Sequence, residues 1–330
     1  MTRFEYPVRR FECQRGQPPD AGILPAVQPI LVTGSHRSGT GWVGSVLAAS
    51  PQPVGYVWEP FSILHRPGTC AARFPHWFPY ICPENEEGVR DAVADMLAWR
   101  YAYGAELRAV RSPKDAARMT RDAARFARHR RAGALPLLKD PIAVFSAQWL
   151  ADTFGARPVL LVRHPAAFAA SIKRLRLRHP FGHFLAQPLM MRDWLSPYAA
   201  ELERLAAEEQ DLVDQAVLLW NVIHHAVAAY AARHPEWPLL RLEDISRRPL
   251  EEFCAMFDRL GLPRDARVDA LVRETSAASN PAEAATADSI RRDSAAHMWN
   301  WKRTLGEEEV ERVRAGTAAL APTFYGADDW

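Results

Sequence analysis

The chain has 330 residues, of which 48% are hydrophobic and 24% charged, so it can bury the core of a large α/β domain and is not expected to be mainly disordered. Its formal net charge is +2, so the overall field favours neither a nucleic acid nor an anionic membrane as partner. The four cysteines, Cys13, Cys70, Cys82 and Cys254, lack C-x-x-C spacing. Reduced thiols and no metal site are therefore expected.

The N-terminal region, residues 1–27, is predicted to be an extension before a single domain over residues 28–330. Residues 1–16 are rich in arginine and glutamate and lack the apolar core of a secretory signal, so we expect a cytoplasmic protein. No apolar run reaches the roughly 20 residues that span a bilayer. The best candidate, residues 216–232, is interrupted by Asn221, His224 and His225, and no membrane span is expected.

Short apolar segments alternate with helical segments along the chain, which predicts an α/β fold with a parallel sheet flanked by helices on both faces. The predicted strands are residues 29–33, 54–58, 135–139, 158–163 and 238–242. The predicted helices are residues 41–49, 89–101, 114–131, 143–154, 165–175, 203–234, 249–260 and 307–318. Residues 60–83 and 176–197 are long loops of the kind that often carry function.

A glycine-rich turn, TGSHRSGTGW over residues 33–42, follows the first predicted strand and leads directly into a helix. Backbone N–H groups in such a turn, together with the positive end of the helix dipole, form an anion cradle. The hydroxyls of Ser38 and Thr40 can donate further hydrogen bonds, and Arg37 adds a permanent cation. The turn is therefore predicted to bind phosphate.

This turn differs from the Walker A loop of ATP- and GTP-binding proteins. Gly34 and Gly39 have the Walker A spacing, but Thr40 and Gly41 stand where that motif needs lysine and then serine or threonine. The missing lysine and magnesium-binding hydroxyl argue against triphosphate chemistry. A P-loop kinase is the runner-up enzyme, and a non-catalytic nucleotide-binding module is the third reading.

A second anion site is predicted where VLLVRHP, residues 159–165, ends a strand. Arg163 stands at the strand end, and Ser171 follows on the next helix. Ligands of open α/β sheets bind beyond the C-terminal edges of the strands, so Arg163 and the glycine turn are expected to meet there. A structural ion pair is the alternative for Arg163.

These segments resemble the PAPS-dependent sulfotransferases. The residues similar to the family's 5′-phosphosulfate loop are Arg37, Ser38, Gly39, Thr40, Gly41 and the aromatic Trp42. Arg163 and Ser171 resemble its 3′-phosphate site. Residues 242–244, 291–294 and 299–302, which include Lys302, resemble later family segments, the last two of which close over the nucleotide.

The resemblance implies a P-loop-type fold and a sulfuryl transfer from PAPS that leaves PAP as product. It implies no metal, and it implies a hydroxyl of a carbohydrate or small natural product as acceptor. Neither a nucleic-acid partner nor an oligomeric state is implied.

The resemblance leaves the catalytic base open. Glu59, in YVWEPF, resembles the Glu-Pro stretch of Golgi carbohydrate 6-O-sulfotransferases and stands where tyrosylprotein sulfotransferases have their catalytic glutamate. Asp140, in LKDP, is the competitor, at the place where cytosolic sulfotransferases keep a histidine that this chain lacks. His65 is a third candidate. Lys139 is expected to join Arg37 as a cation for the leaving group.

Two further features have two readings each. The arginine-rich helix over residues 121–131 either contacts an anionic partner or is a solvated face. A set of aromatic residues either lines an acceptor site or packs as core, namely Trp58, Phe61, Phe74, Trp77, Phe78 and Tyr80.

Overall fold

The computed structural model describes residues 28–208, 211–281 and 290–330. Within these ranges one five-stranded sheet is formed by β1 (Ile30–Gly34), β2 (Val54–Trp58), β3 (Leu135–Lys139), β4 (Arg157–Val162) and β5 (Leu239–Arg241). The strand order is β2-β3-β1-β4-β5, and every neighbouring pair is parallel. The predicted fold class is confirmed. The N-terminal extension lies outside the described residues, and its separation from one domain stays a prediction, as does the cytoplasmic location.

Sixteen helices are present in the described ranges. They are α1 (Thr40–Leu47), α2 (Arg90–Leu97), α3 (Tyr103–Ala109), α4 (Pro113–Arg131), α5 (Ala147–Phe154), α6 (Pro165–Leu175), α7 (Gly182–Leu185), α8 (Pro188–Met190), α9 (Ala199–Ala207), α10 (Leu212–Arg233), α11 (Leu242–Arg247), α12 (Pro249–Arg259), α13 (Ala266–Ser276), α14 (Ser294–Met298), α15 (Trp301–Thr304) and α16 (Glu307–Thr317). Short 3₁₀ segments cover Pro141–Ser146, Ser196–Tyr198, Ala321–Thr323 and Ala327–Asp329, and Met191–Leu195 is a π-helical turn.

Alternate strand residues face opposite sides of the sheet, so each side has its own core. Ile30 and Val32 of β1 belong to the core under α1, α12 and α13. Leu31, between them, faces the larger core that includes α6 and α10. Both faces are therefore covered, as a buried parallel sheet requires.

Several predicted boundaries were wrong. The helix predicted over residues 203–234 is two helices, α9 and α10, because the Asp211 side chain caps the second by accepting a hydrogen bond from the Val213 N–H at 2.8 Å. Residue 242 begins a helix rather than ending a strand. Helices α3 and α13 were not predicted, and the loop predicted over residues 176–197 contains α7 and α8.

Helix α10 is the one described helix that is long and apolar enough to cross a membrane. It has 22 residues, and its most apolar 18-residue window has a mean hydropathy of 1.2. In the fold, 61% of that window is buried, and the helix contacts α6 and α16. These are the surroundings of a core helix.

The central position of β1 decides where a ligand can bind. Strand β1 lies between β3 and β4; the connection after β1 runs to β2 on one side of it, and the connection after β4 runs to β5 on the other side. In open α/β sheets the crevice at such a switch point, beyond the carboxyl ends of the strands, is where ligands bind. The segments that follow β1, β3 and β4 therefore meet at one edge.

Candidate functional site

The glycine turn after β1 has the backbone shape of an anion cradle. Gly34 has φ +131°, and a Cβ there would lie 2.1 Å from the Leu161 carbonyl oxygen, so a side chain would push β1 away from β4. Arg37 and Gly39 also have positive φ, 65° and 88°. Successive N–H groups in such a turn can point toward one anion. The first intrahelical bond of α1 is donated by Val43 to the Gly39 carbonyl at 3.0 Å, so the N–H groups before it have no partner within the helix.

The start of α1 supplies more of the cradle. Thr40 and Gly41 are its first residues, and its first turn has no acidic side chain, so the positive end of the helix dipole is available to an anion. The Trp42 indole N–H donates to Thr275 Oγ1 at 2.9 Å. The Trp42 ring therefore belongs to the core, and only its backbone is left for a ligand.

Buried hydroxyls surround the same turn. Ser38 Oγ donates to the Ser35 carbonyl oxygen and braces the turn. Within the described ranges, the buried hydroxyls of Thr33 and Ser35 have no hydrogen-bond partner. Buried hydroxyls are normally paired, so these unused donors fit a phosphate- or sulfate-bearing ligand.

The two predicted phosphate sites touch each other. Arg163 Nη1 donates to the Arg37 carbonyl oxygen at 2.9 Å, and Arg37 Nε donates to Ser171 Oγ at 3.2 Å. Arg163 is only 4% exposed, and its own carbonyl accepts the Trp220 indole N–H at 2.9 Å. Two guanidinium groups and a buried hydroxyl therefore share one surface at the edge of the sheet.

Glu59 and Lys139 form an ion pair across neighbouring strands. Lys139 Nζ lies 2.5 Å from Glu59 Oε1, and the Glu59 N–H donates to the Lys139 carbonyl at 2.9 Å. Glu59 has φ 42°, a region that non-glycine residues seldom adopt and that is often found at functional sites. Lys139 is buried, Glu59 is half-buried, and the Trp58 ring lies 4.9 Å from the ammonium.

Asp140 is a fully buried side chain with both oxygens occupied. Oδ2 accepts the Phe61 N–H at 2.7 Å, and Oδ1 accepts the Ile142 N–H at 3.1 Å. Burial, helped by the nearby Glu59 charge, raises the pKa of this carboxyl to about 7 against the lowering effect of the two backbone hydrogen bonds and of the Lys139 ammonium. Asp140 therefore fixes the segment that carries Glu59.

His65, the third candidate base, holds its own loop together. Its Nδ1 lies 2.6 Å from the Ser62 carbonyl oxygen, and its Nε2 lies 3.1 Å from the Cys70 carbonyl oxygen. Both ring nitrogens thus face backbone acceptors.

Cys70 and Cys82 are free thiols.

A residue that the sequence reasoning missed, His297 of α14, contacts Arg163 of the second predicted phosphate site. Its Nε2 lies 3.2 Å from Arg163 Nη2 and 3.4 Å from Arg292 Nη1, and its Nδ1 lies 3.4 Å from Asn300 Nδ2. His297 stands between the Arg-Arg and Trp-Asn-Trp-Lys segments that resemble the family, and this position is the local signal for a histidine near the nucleotide. Its place beside Arg163 depends on the fold.

Lys302 stands with the same C-terminal segment. It is exposed, and its ammonium lies 4.7 Å from the Trp299 ring and 5.1 Å from the Trp301 ring. Trp301 stacks on His164, the residue after Arg163, at a ring distance of 5.5 Å. The structure thus brings this segment next to the end of β4, where the Lys302 ammonium faces the Trp299 and Trp301 rings.

Most of the aromatic residues in the loop after β2 are core. Phe61, Phe74 and Phe78 are buried, and Trp77 and Tyr80 are partly buried against the same cluster. Trp58 differs, since it is 56% exposed and immediately precedes Glu59. One aromatic ring of the six is therefore presented openly to solvent.

One group of possible metal ligands lies in the described part of the chain, formed by Cys82, Glu84 and Asp193. Arg192 already binds both carboxylates, reaching Glu84 at 2.5 Å and Asp193 at 2.6 Å. One guanidinium thus pairs with both carboxylates of the group. Whether the reaction proceeds without a metal stays a prediction.

Comparison with known proteins gives one family match. The model of a family described as "Sulfotransferase family" matches residues 29–266. This range contains the glycine turn, Glu59, Lys139 and Arg163. Among curated proteins, none matches this chain.

The solved structures that match this chain include three sulfotransferases. The sulfotransferase domain from the curacin biosynthetic pathway has 13% identity and a TM-score of 0.45, covering 88% of this chain and 98% of its own. That of the Synechococcus PCC 7002 olefin synthase has 17% identity and a TM-score of 0.45, covering 94% and 98%. Sulfotransferase STF9 from Mycobacterium avium has 15% identity and a TM-score of 0.43, covering 91% and 77%.

Proposed function

Because the chain belongs to the sulfotransferase family and is a PAPS-dependent enzyme of it, we propose that it transfers the sulfuryl group of PAPS to a hydroxyl of a carbohydrate or small natural-product acceptor. The observation that carries this proposal is the contact of Arg163 with Arg37 and of Arg37 with Ser171. This contact supports the proposal because it places the two proposed anion sites side by side, as a donor with a 5′-phosphosulfate and a separate 3′-phosphate requires.

The donor is proposed to lie along the edge of the sheet. The turn from Ser35 to Trp42 would hold the phosphosulfate through backbone N–H groups, hydroxyls and the Arg37 guanidinium. Arg163 and Ser171 would hold the 3′-phosphate. The segment of His297 and Lys302 is proposed to cover the nucleotide, in keeping with its contact to Arg163.

The transfer is proposed to be an in-line displacement at sulfur. Glu59 accepts the proton of the acceptor hydroxyl as the new oxygen–sulfur bond forms. The bond from sulfur to the bridging phosphate oxygen breaks, and its electron pair stays on the phosphate of PAP. Arg37 and Lys139 stabilise the charge that develops there. An ammonium has three donors, so Lys139 can hold Glu59 and still reach the leaving oxygen.

Asp140 is proposed to be a positioning residue rather than the base. Its oxygens hold the backbone of Phe61 and Ile142, and it is 0% exposed. A carboxylate with no exposed surface is poorly placed to meet an acceptor. Its contact with Phe61 instead holds the turn in which Glu59 sits.

The acceptor is proposed to contact Trp58. The exposed indole lies one residue from Glu59 and offers an apolar face to a sugar ring or a flat scaffold. The acceptor class is open to direct measurement by following PAP release from PAPS with sugars, phenols and aliphatic alcohols.

We expect PAP to raise the melting temperature without added metal, because every proposed contact is a backbone N–H, a hydroxyl or a cationic side chain. At 100 times its dissociation constant, a ligand stabilises the native state by about 2.7 kcal/mol. Differential scanning fluorimetry with PAP in EDTA measures this. Stabilisation by ATP with magnesium and none by PAP would overturn the donor assignment.

Arg163→Ala should weaken PAP binding by roughly 10- to 150-fold, the effect of losing a charge-assisted contact of about 1.5–3 kcal/mol. Turnover at saturating PAPS should change much less, because the 3′-phosphate is remote from the bond that breaks. Isothermal titration with PAP tests this, with Arg312→Ala, an exposed arginine paired with Asp214, as matched control. Unchanged affinity in Arg163→Ala would remove this residue from the site.

A further inference from the structure

Helix α4 carries a stripe of basic side chains along its outward face. Lys114, Arg118, Arg121, Arg125 and Arg128 follow at intervals of four, three, four and three residues, and all five are exposed. At 100° per residue they fall within about 80° of the helix circumference. At 1.5 Å per residue the stripe is about 21 Å long, with one cation for about every 5 Å.

The charge of the chain is concentrated around this stripe. Residues 100–131 contain ten arginines and lysines and three acids, a net charge of +7, so the rest of the chain carries −5 of the total of +2. Two of the three acids, Glu106 and Asp122, are buried and bind Arg66, which comes from another segment. The third acid, Asp115, pairs with Arg118 of the stripe at 2.6 Å. The outward surface thus carries a net positive charge on a protein that is nearly neutral.

The stripe weakens the helix that carries it. Each neighbouring pair in it places like charges three or four residues apart, which destabilises a helix. Asp122 offsets part of this, lying 3.6 Å from Arg125 and 3.9 Å from Arg121. The packing of α4 depends on its other side, where Ala123 and Phe126 are buried. Local features that oppose folding are expected where function uses them.

A groove of about 340 Å³ lies between residues 99–103, which lead into α3, and the C-terminal half of α4. Its walls include Trp99, Tyr101, Tyr103 and Phe126, and its rim includes Arg130 and Arg131. Around the helix, the surface between the groove and the stripe carries Ala117, Thr120 and Ala124, which are exposed and small. The groove therefore opens on the flank of α4, where Ala127 and Arg131 line it about 100–140° around the helix from the middle of the stripe.

From this juxtaposition we propose that the outward face of α4 and the adjoining groove dock an acidic segment of a partner protein. Carboxylates on one face of that segment would lie along the stripe, and an apolar or aromatic side chain would enter the groove. Charge complementarity selects an acidic partner, and an apolar groove beside it selects an anchor side chain.

The shape of the surface favours a protein segment over a bilayer or a nucleic acid. Peripheral membrane binding needs a face of protruding apolar side chains. Here Tyr103 and Leu107 are 59% and 63% exposed, but Trp99, Tyr101 and Phe126, at 5%, 9% and 1% exposed, form the wall of a recess. A nucleic-acid backbone would use the stripe but leave the aromatic groove empty.

The experiment measures the binding of a fluorescein-labelled helical peptide of about 18 residues. Its glutamates are spaced three and four residues apart so that they lie along one face, and it carries one tryptophan as the anchor side chain. Companion peptides replace the glutamates with glutamine or the tryptophan with alanine. The triple variant Arg121→Gln, Arg125→Gln, Arg128→Gln is compared with Arg259→Gln, Arg267→Gln, Arg273→Gln, three exposed arginines elsewhere that give the same charge change. PAP-induced stabilisation checks that each variant is folded.

We expect the stripe variant to bind the acidic peptide about tenfold more weakly and the control variant to bind within about twofold of the parent, with affinity falling as salt rises. The glutamine peptide should not bind. Tyr103→Ala, at an exposed groove position, should weaken binding of the tryptophan peptide and leave the affinity for the alanine peptide unchanged.

Three outcomes would overturn the proposal. Equal binding by the stripe and control variants would show that only net charge matters. Equal affinity for the tryptophan and alanine peptides would show that the groove does not contribute to binding. Tighter binding of phosphatidylglycerol vesicles or duplex DNA than of the peptide, lost in the stripe variant, would assign the face to another class of partner.

Discussion

Glu59→Gln should lower turnover by roughly 10²–10⁴-fold, the usual contribution of a general base, while PAP affinity stays close to that of the parent. Glutamine keeps the size of the side chain and removes its ability to take a proton. Glu59 is also the partner of the buried Lys139, so the same change should lower the melting temperature. The decisive quantities are therefore kcat and PAP affinity, measured on folded protein below its melting transition.

Asp140→Asn is the matched control, since it makes the same chemical change one residue after Lys139. An asparagine can accept only one of the two backbone N–H groups that Asp140 now binds. Leaving a buried donor unpaired costs about 1–3 kcal/mol. We expect a lower melting temperature and turnover within about tenfold of the parent. Near-parent turnover in Glu59→Gln, with turnover abolished and PAP binding kept in Asp140→Asn, would move the role of base to Asp140.

The protein should lose stability steeply as the pH falls from about 6.5 to 4.5. Burial lowers the pKa of His36 to about 4 and those of His164, His179 and His224 to about 3. Each of these rings has at least one buried nitrogen without a hydrogen-bond partner among the described residues. In this pH window the unfolded chain therefore binds about four protons that the native state does not bind.

Two buried carboxyls act in the opposite direction. Burial raises the pKa of Asp140 to about 7 and also raises that of Glu243, so the native state holds protons on these carboxyls that the unfolded chain releases. Each carboxyl can hold at most one such proton, so the net uptake on unfolding is at least about two protons, and stability should fall by about 3 kcal/mol per pH unit or more. Above pH 7 the histidine contribution is constant, because these imidazoles are neutral in both states.

Urea unfolding at several pH values between 7.5 and 5 measures this slope. His179→Phe should reduce the slope of stability against pH by about 1.4 kcal/mol per pH unit, because it removes one group that binds a proton only in the unfolded chain. Phenylalanine fits this position, since the ring is surrounded by Phe78, Phe181 and Phe184. Stability that is flat or rises toward pH 5 would contradict the assignment of these histidines as buried and neutral.

The amino-acid sequence by itself determined the elements that depend on local order. Short apolar strands followed by helices imply a parallel sheet, and a glycine turn between a strand and a helix implies an anion cradle, because both depend on residues adjacent in the chain. The general rule that ligands lie beyond the strand ends also predicts that Arg163 lies near the turn at Arg37, and the two residues are in contact. The roles proposed for these residues in PAPS binding stay predictions.

Only the tertiary structure decided which side chains are available for chemistry. Glu59 and Asp140 look equivalent in sequence, since each follows a strand and precedes a proline. In the fold, Asp140 is enclosed by the backbone of Phe61 and Ile142, while Glu59 meets Lys139 with part of its surface exposed. Likewise His297 reaches Arg163 across 134 residues. Burial and pairing of this kind arise from contacts between distant segments, which no local pattern contains.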